Sequence, residues 1–346
     1  MVCALWVGVT IAIPRPASAA TGTDFWLTFP TNFDNGVADP LTLTLSIASA
    51  GSAASGTVAI PGLGFSQNFT VPAGGVTTVT VPNGAIVGVA GSQGVVVQDL
   101  GIQVTADAAV SVTGLSHIVE TTDAFLGLPV SVLGTDYRAV GYTTVQDDYS
   151  EIAIVSTADG TQVTVTPTAN LPDGTQAGTP LVQTVNAGEV LFVPSVDGGD
   201  LTGSRITATE PVAVFSGTRC SIVPSNSFAC NHLLEQLPPT TSWGSQFVTV
   251  PLATRTGGDR FRMIANTTGT VVSVNGSAVA TLDAGEFFEQ VLSAAALITS
   301  SSPILLVQYS QGASIDLGAA DPSMAIVPPT SGFEASYTFL AQTGFT

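Results

Sequence analysis

A single plan written three times constrains this chain more than any local motif. Gly22-Thr23-Asp24-Phe25, Gly134-Thr135-Asp136-Tyr137 and Gly244-Ser245-Gln246-Phe247 open stretches in which the same events follow in the same order, with starts 112 and 110 residues apart. After each start comes a turn-rich region and then an alternating segment: GTVAIP from Gly56, GTQVTVTP from Gly160 and GTVVSVNG from Gly269. An Ala-Gly turn recurs at Ala73-Gly74, Ala187-Gly188 and Ala284-Gly285. Each copy ends in a segment that reads as a hairpin, IQVTADAAVSVTG, RITATEPVAVFSG and LITSSSPILLVQYSQG, turning near Asp107, Glu210 and Ser302. Ordered self-similarity of this kind marks a repeat architecture. Alternation over short runs, bounded by Gly, Pro, Asn and Asp, is the pattern of half-buried strands. The expected fold is therefore all-β, with tandem β-sandwich units, Ig-like or jelly-roll-like, of about 110 residues. A single larger barrel or propeller-like arrangement of the same strands is the alternative. Helix is expected only as a turn or two at CNHLLEQL from Cys230 and SAAAL from Ser293.

The repeat sets the expected boundaries. They are a signal peptide over 1–19, a first sandwich with its connector over 20–133, a second with a disulfide connector over 134–243, and a third over 244–332. The start of a truncated fourth is expected over 333–346, because MAIVPPTSGFEASYTFLAQTGFT from Met324 echoes LEQLPPTTSWGSQFVTVPLATRTG from Leu234. That echo reads as part of a longer protein. The signal expectation rests on the apolar stretch 2–13, then Pro14 and Pro16, then Ala17-Ser18-Ala19 as a small-x-small cleavage site. Such a stretch is too short to span a bilayer. A secreted or cell-surface protein with no segment inserted in the lipid bilayer is expected.

Composition narrows the chemistry. Hydrophobic residues make up 45% and charged ones only 9%, so Thr, Ser, Gly, Asn and Gln must cover the surface, which suits strands better than helices. The formal net charge is −18, and the seven basic residues are all arginine. Nucleic acid and anionic membrane surfaces need clustered basic residues, so neither is an expected partner. Without lysine there is no Schiff-base chemistry, no pyridoxal attachment and no lysine isopeptide bond.

The stretch RCSIVPSNSFACNHLLEQLPPTTSWG, from Arg219 to Gly244, gathers more chemically capable side chains than any other. Once Cys3 leaves with the signal, Cys220 and Cys230 remain, and an even count in an exported chain reads as a disulfide. On the loop-entropy model so short a loop gains roughly 2–3 kcal/mol. A zinc site would need about four ligands, and the segment supplies the two cysteines and His232, with Glu235 as a doubtful fourth. A cysteine nucleophile paired with His232 would be oxidised by its neighbour outside the cell. The corresponding connector after the first copy, GLSHIVETTDAFLGLPVSVLG from Gly114, has no cysteine and relies on Phe125, Leu126, Leu128, Val130 and Val132 for packing.

A family resemblance is carried by PVAVFSGTRCSIVP, by ACNHLLEQLPPTTSWGSQFVTVPLATRTGGDRFRMIANTTGTVVSVNG, by AFLGLPVSVLGTDYRAVGYTT and SEIAIVSTADGTQVTVTPT, and by the terminal DPSMAIVPPTSGFEASYTFLAQTGF. From about Gly22 onward these phrases resemble the N-terminal domain of the IgG Fc-binding protein family, in a bacterial-type exported version. The resemblance implies an extracellular, mucus- or surface-associated, β-rich binding segment of a larger modular protein, without enzymatic activity. It also implies that Cys220 and Cys230 are paired. Fc binding belongs to animal members with further domains, and is not carried over.

Among the other residues, His117 and His232 read as hydrogen-bonded structural histidines, and no Asp-His-Ser grouping points to a triad. Asp147-Asp148, with Glu151 nearby, and Gly257-Gly258-Asp259 read as acidic turns. No cofactor is expected. Calcium is the ion that acidic turns would suit, but no D-x-D-x-D-G loop is present. Trp26, Trp243, Tyr137 and Tyr142 read first as core anchors. Arg260 and Arg262 flank Phe261 on a strand and so face away from it. Arg260, Arg262 and Trp243 are the candidate partner contacts; no catalytic or metal-binding residue is assigned. Asn68-Phe69-Thr70 and Asn266-Thr267-Thr268 fit glycosylation sequons. The expected function is a non-enzymatic extracellular binding, adhesion or surface-structural module with a protein or glycan ligand. The alternative is a secreted hydrolase acting on glycans or peptides, which would require a concave pocket holding His117 or His232 with two carboxylates or a serine.

Overall fold

One long strand organises each copy. The computed structural model describes residues 20–33, 41–49, 51–88, 94–144, 148–253, 255–316 and 321–333, so the expected signal peptide and nearly all of the expected fourth copy lie outside the described residues. The first copy contains β1 (Gly22–Leu27), β2 (Phe29–Pro30), β3 (Thr42–Ala48), β4 (Ala54–Ile60), β5 (Phe65–Val71), β6 (Val76–Val81), β7 (Ile86–Val87), β8 (Val96–Gln98), β9 (Ile102–Ile118) and β10 (Thr121–Leu126). The second contains β11 (Gly134–Arg138), β12 (Ser150–Ser156), β13 (Thr161–Thr166), β14 (Leu181–Val185), β15 (Val190–Pro194), β16 (Arg205–Ser221) and β17 (Asn231–Gln236). The third contains β18 (Gly244–Thr249), β19 (Asp259–Ala265), β20 (Thr270–Val274), β21 (Ser277–Leu282), β22 (Phe287–Leu292), β23 (Ala296–Ser310) and β24 (Ser323–Val327).

The three sheets share one strand order. They run β5-β4-β9-β3-β6, β14-β13-β16-β12-β15 and β21-β20-β23-β19-β22, and in each the long strand also pairs with the first and last strands of its copy. The fold is all-β and built of β-sandwich-like units, as the alternation predicts. The terminal hairpins are not there. β9, β16 and β23 run straight through Asp107, Glu210 and Ser302 as continuous strands. The reason is local: a tight hairpin needs positive φ at its turn, and no residue near these three positions adopts it. The extra residues bulge instead. Register jumps from Gly22↔Val110 to Asp24↔Thr105, from Gly134↔Val212 to Asp136↔Thr207, and from Gly244↔Ile304 to Gln246↔Thr299. A bulge bends a strand without ending it, so one half of each long strand serves one side of its sandwich and the other half serves the opposite side. CNHLLEQL, expected to hold a helical turn, is strand β17, because Leu233 and Leu234 pair with Thr218 and Gly217 on β16.

The copies are not separate beads. β12 and β15 are buried along their whole length. Ile152, Ile154, Leu191 and Val193 face the interior of the second copy. Ala153, Val155, Phe192 and Phe215, on the opposite face, share a core with Phe25, Phe29, Leu45 and Phe125 of the first. The step repeats: Ile264, Leu305, Val307 and Tyr309 of the third copy pack into the second core beside Tyr137, Val140 and Tyr142. The outer sheet face of one copy thus closes the interior of the copy before it. β8 crosses over to pair with β15 and covers an edge that would otherwise stand open. Close backbone approach marks both joints. An ideal Cβ on Gly101 would lie 2.5 Å from the Gly188 carbonyl oxygen, and one on Gly203 only 2.1 Å from that of Gly285, so both positions demand glycine.

Candidate functional site

The segment between β16 and β17 is held at its base and projects at its tip. Cys220 and Cys230 form a disulfide. Between them the chain leaves the sheet, and Phe228 stands 73% exposed. The tip is fixed against the third copy: Gly312 N donates to Val223 O at 2.7 Å, and Phe228 N donates to Ser314 Oγ at 3.0 Å. Asn231 joins all three copies. Its Oδ1 accepts from Thr122 N at 2.8 Å, and its Nδ2 donates to Thr122 O at 3.0 Å and to Pro322 O at 2.7 Å.

These loops enclose an open groove of about 620 Å3 lined by Phe33, Val119, Glu120, Ile222, Phe228, Ala229, Cys230 and Asp321. The first copy contributes Phe33 and the β9–β10 turn, the second its disulfide loop and the third Asp321, two residues before β24. Val119 is 64% exposed and faces the same space. Burial of Asp321 pushes its carboxyl above the usual range, opposed by Arg255 and reinforced by Glu120.

Beneath the groove lies a buried polar cluster. The Arg219 guanidinium sits over the rings of Phe33 and Tyr149, at 5.1 and 5.7 Å from their centroids, and 3.3 Å from Asp148 Oδ2. Burial pushes Asp148 up to about 6 although Arg219 opposes it. Thr31 of the first copy donates to Glu151 Oε2 at 2.8 Å and bonds the Tyr149 hydroxyl at 2.8 Å. Glu151 is fully enclosed, and burial pushes its carboxyl well above the carboxylate range, favouring the neutral form. Its Oε1 lies 3.9 Å from His232 Nδ1, which donates to Thr218 O at 3.2 Å. Burial lowers His232 to about 4, so the imidazole is also neutral. A second acidic pair ties the last strands together: Asp123 accepts from Leu234 N, and Glu235 accepts from Ile326 N. Burial pushes Asp123 up to about 8, and burial with the neighbouring Asp123 pushes Glu235 well above its usual range.

The arrangement can hold charge and hydrogen bonds in the dark, but His232 and Glu151 have no exposed surface from which to meet a substrate. Asp148, Glu151 and Asp259, read in sequence as acidic turns, are buried; Asp259 accepts from Leu252 N at 2.6 Å and from Gln308 at 2.8 Å. Among the described residues no three His, Cys, Asp or Glu side chains come close enough to hold a metal ion. No helix among them is long and apolar enough to cross a membrane.

The candidate partner contacts lie elsewhere. Arg260 and Arg262 do share the face opposite Phe261, and both reach Glu289, at 2.6 and 2.8 Å. That face is covered from within the chain. Arg262 is 4% exposed, donates to Gly141 O, Asp200 and Thr202 of the second copy, and stacks on Tyr142 and Phe287 at 4.1 and 4.3 Å. Trp243 is 8% exposed in the second core, its Nε1 donating to Pro238 O at 3.2 Å. Arg262 and Trp243 therefore face the second copy and its connector rather than open solvent; Arg260 remains partly exposed. Sequence reasoning passed over Arg219 and Phe228, although both stand in the segment that drew attention to the cysteines. Glu151 reads in sequence as part of an acidic turn, and the signal against that was an acid at the head of the otherwise apolar run EIAIV.

Comparison with known proteins adds the lineage. The family model described as IgGFc binding protein matches residues 123–346. A human protein named IgGFc-binding protein is 28% identical over 244 residues, covering 68% of this chain but 4% of that protein's own length. No solved structure matches. With most of its length matched by the family model, this chain belongs to the IgGFc-binding protein family.

Proposed function

We propose that this chain is a non-enzymatic extracellular protein-binding module, secreted or held at a cell surface, and that it meets its ligand at the groove around Phe228. The observation that carries this reading is Phe228 itself, a ring 73% exposed on a loop that is fixed beforehand by a disulfide and by the third copy. Exposed aromatic anchors in fixed positions supply most of the energy of protein interfaces, and fixing them in advance removes the ordering cost of binding. Glu120 and Asp321 border the groove, and the chain carries a net charge of −18. Both favour a ligand that presents an apolar side chain among basic residues. The enclosure of His232 and Glu151 supports binding over turnover.

The name of the human relative makes immunoglobulin Fc the first ligand to try. The immobilised chain is presented with Fc, Fab, mucin and a glycan panel, beside a set of hydrolase substrates. The expected result is saturable binding to a protein ligand that weakens at least tenfold in Phe228→Ala/Val119→Ala, with no turnover. Turnover abolished by His232→Ala would replace this reading with the hydrolase.

A further inference from the structure

The two joints inside the chain define what the far end of the third copy can receive. After the first strand of the first and second copies, the chain lays a short segment on the outer face of the next copy's sheet. Thr28 in the first copy and Val140 and Tyr142 in the second are 0%, 0% and 5% exposed there. One step earlier in the same strands, Trp26 lies against Gly188 and Arg138 against Gly285 of the following Ala-Gly turn. In the third copy the same offsets from the opening glycine give Val248, Val250 and Leu252. They are 44%, 64% and 41% exposed, and Leu297, opposite Val248 in the ladder, is 40% exposed.

The opposite end of the stack differs. The outer sheet face of the second copy is buried, and that of the third is apolar or charged, buried at Ile264, Arg262 and Val307 and open at Phe287 and Val291. The matching face of the first carries Thr44, Ser46, Thr78, Thr80, Ser111 and Thr113 around Ala48, Val76 and Leu115, with Thr78 and Thr113 at the register positions of Phe192 and Phe215. Repeat proteins close their ends with such polar faces. The centre of the first copy's face is polar in this way, whereas the described residues at the far end of the third copy are apolar.

We propose that Val248, Val250, Leu252 and Leu297 form a docking surface for a further unit of the same seven-strand plan, received on the apolar outer face of that unit's sheet. A second copy of this chain meeting it head to tail would offer hydroxyls where the internal joints offer Phe192 and Phe215. A further joint would have to be wider at one point, because Ala295 stands where Gly101 and Gly203 let the next carbonyl approach.

The test turns the more polar face of the first copy into a mimic of such a unit. Thr78→Phe/Thr113→Phe restores the two aromatic positions, and Thr78→Val/Thr113→Val is a milder form; circular dichroism melts check that both fold. Sedimentation velocity is expected to show wild type as a monomer and the refaced chains as open, concentration-dependent oligomers, as heterologous interfaces produce. Adding Val250→Asp/Leu252→Asp is expected to weaken that association at least tenfold. Two results would overturn the proposal: refaced chains that remain monomeric or associate regardless of the aspartates, and wild type that self-associates through Val250 and Leu252.

Discussion

The joint between the first and second copies is aromatic, whereas the joint between the second and third holds a buried guanidinium, although the same strands meet at both. Ala153 on β12 faces Phe215 and Phe192, and Arg262 on β19 faces Val307 and Glu289 in the equivalent register. In the first joint Phe125 bridges the copies, 5.4 Å from Phe29 and 5.0 Å edge-on to Phe215. In the second, Arg262 carries the contact through Asp200, Glu289, Thr202 and the Tyr142 ring. Backbone repetition sets where the sheets meet, and side-chain chemistry is free to vary there. The two solutions should fail differently, since apolar contact is graded by area and a buried charge depends on every partner.

The largest effect is expected from Arg262→Ala. Removing the Arg262 guanidinium leaves Asp200 without its cation and Glu289 with Arg260 alone, and the loss of one member of a buried ion pair costs about 3–5 kcal/mol, read as a shift in the denaturant midpoint. Phe215→Ala at the first joint is expected to cost about 3–4 kcal/mol through the cavity it leaves. If Arg262→Ala costs less than 1 kcal/mol while Phe215→Ala costs its full amount, the second joint is held by packing too and the contrast fails. Cys220→Ser/Cys230→Ser follows, at about 2–3 kcal/mol, and ligand binding is expected to fall further than stability because the loop carries Phe228.

The joints should also separate by pH. Burial raises the Glu151 carboxyl in the folded chain, so its contribution is full below its unfolded value of 4.5 and is lost as pH rises above it. Asp123 acts in the same direction between 3.8 and about 8. His232 opposes them: lowered to about 4, it contributes fully above 6.5 and loses that contribution as pH falls. Glu289 is pushed up by burial and pulled down further by Arg262 and Arg260, ending below its usual range, so the second joint weakens only as pH falls through the acid range below 4.5. Glu151→Gln is therefore expected to become progressively more stabilising, relative to wild type, from pH 5 to pH 8. Denaturant midpoints that shift by the same amount at every pH would refute a neutral Glu151. The smallest effect, about 1 kcal/mol, is expected from Tyr142→Phe, which loses one hydrogen bond to Glu289 at 3.1 Å.

Much of this architecture is legible in the chain. The three openings and the Ala-Gly turns fall where the structure repeats, and Cys220 and Cys230 pair. ADAA, ATEP and SSSP looked like turns because polar residues interrupt an apolar alternation, yet a bulge tolerates the same residues. SEIAIVS and VLFVP show by their unbroken apolar runs that β12 and β15 are covered on both faces, a pattern shared with buried sheets of other kinds. The fate of Arg262 was not legible, because it depends on Gly141, Asp200 and Thr202 arriving from the preceding copy. Nor was the groove, since its lining comes from loops of all three copies that are far apart in the chain.

Differential scanning calorimetry of the whole chain tests most directly whether each copy's interior is completed by the next. Shared cores predict one transition whose van't Hoff and calorimetric enthalpies agree, moved as a whole to lower temperature by Phe215→Ala or Arg262→Ala. Three separable transitions, with each substitution moving only the copy that contains it, would contradict the account.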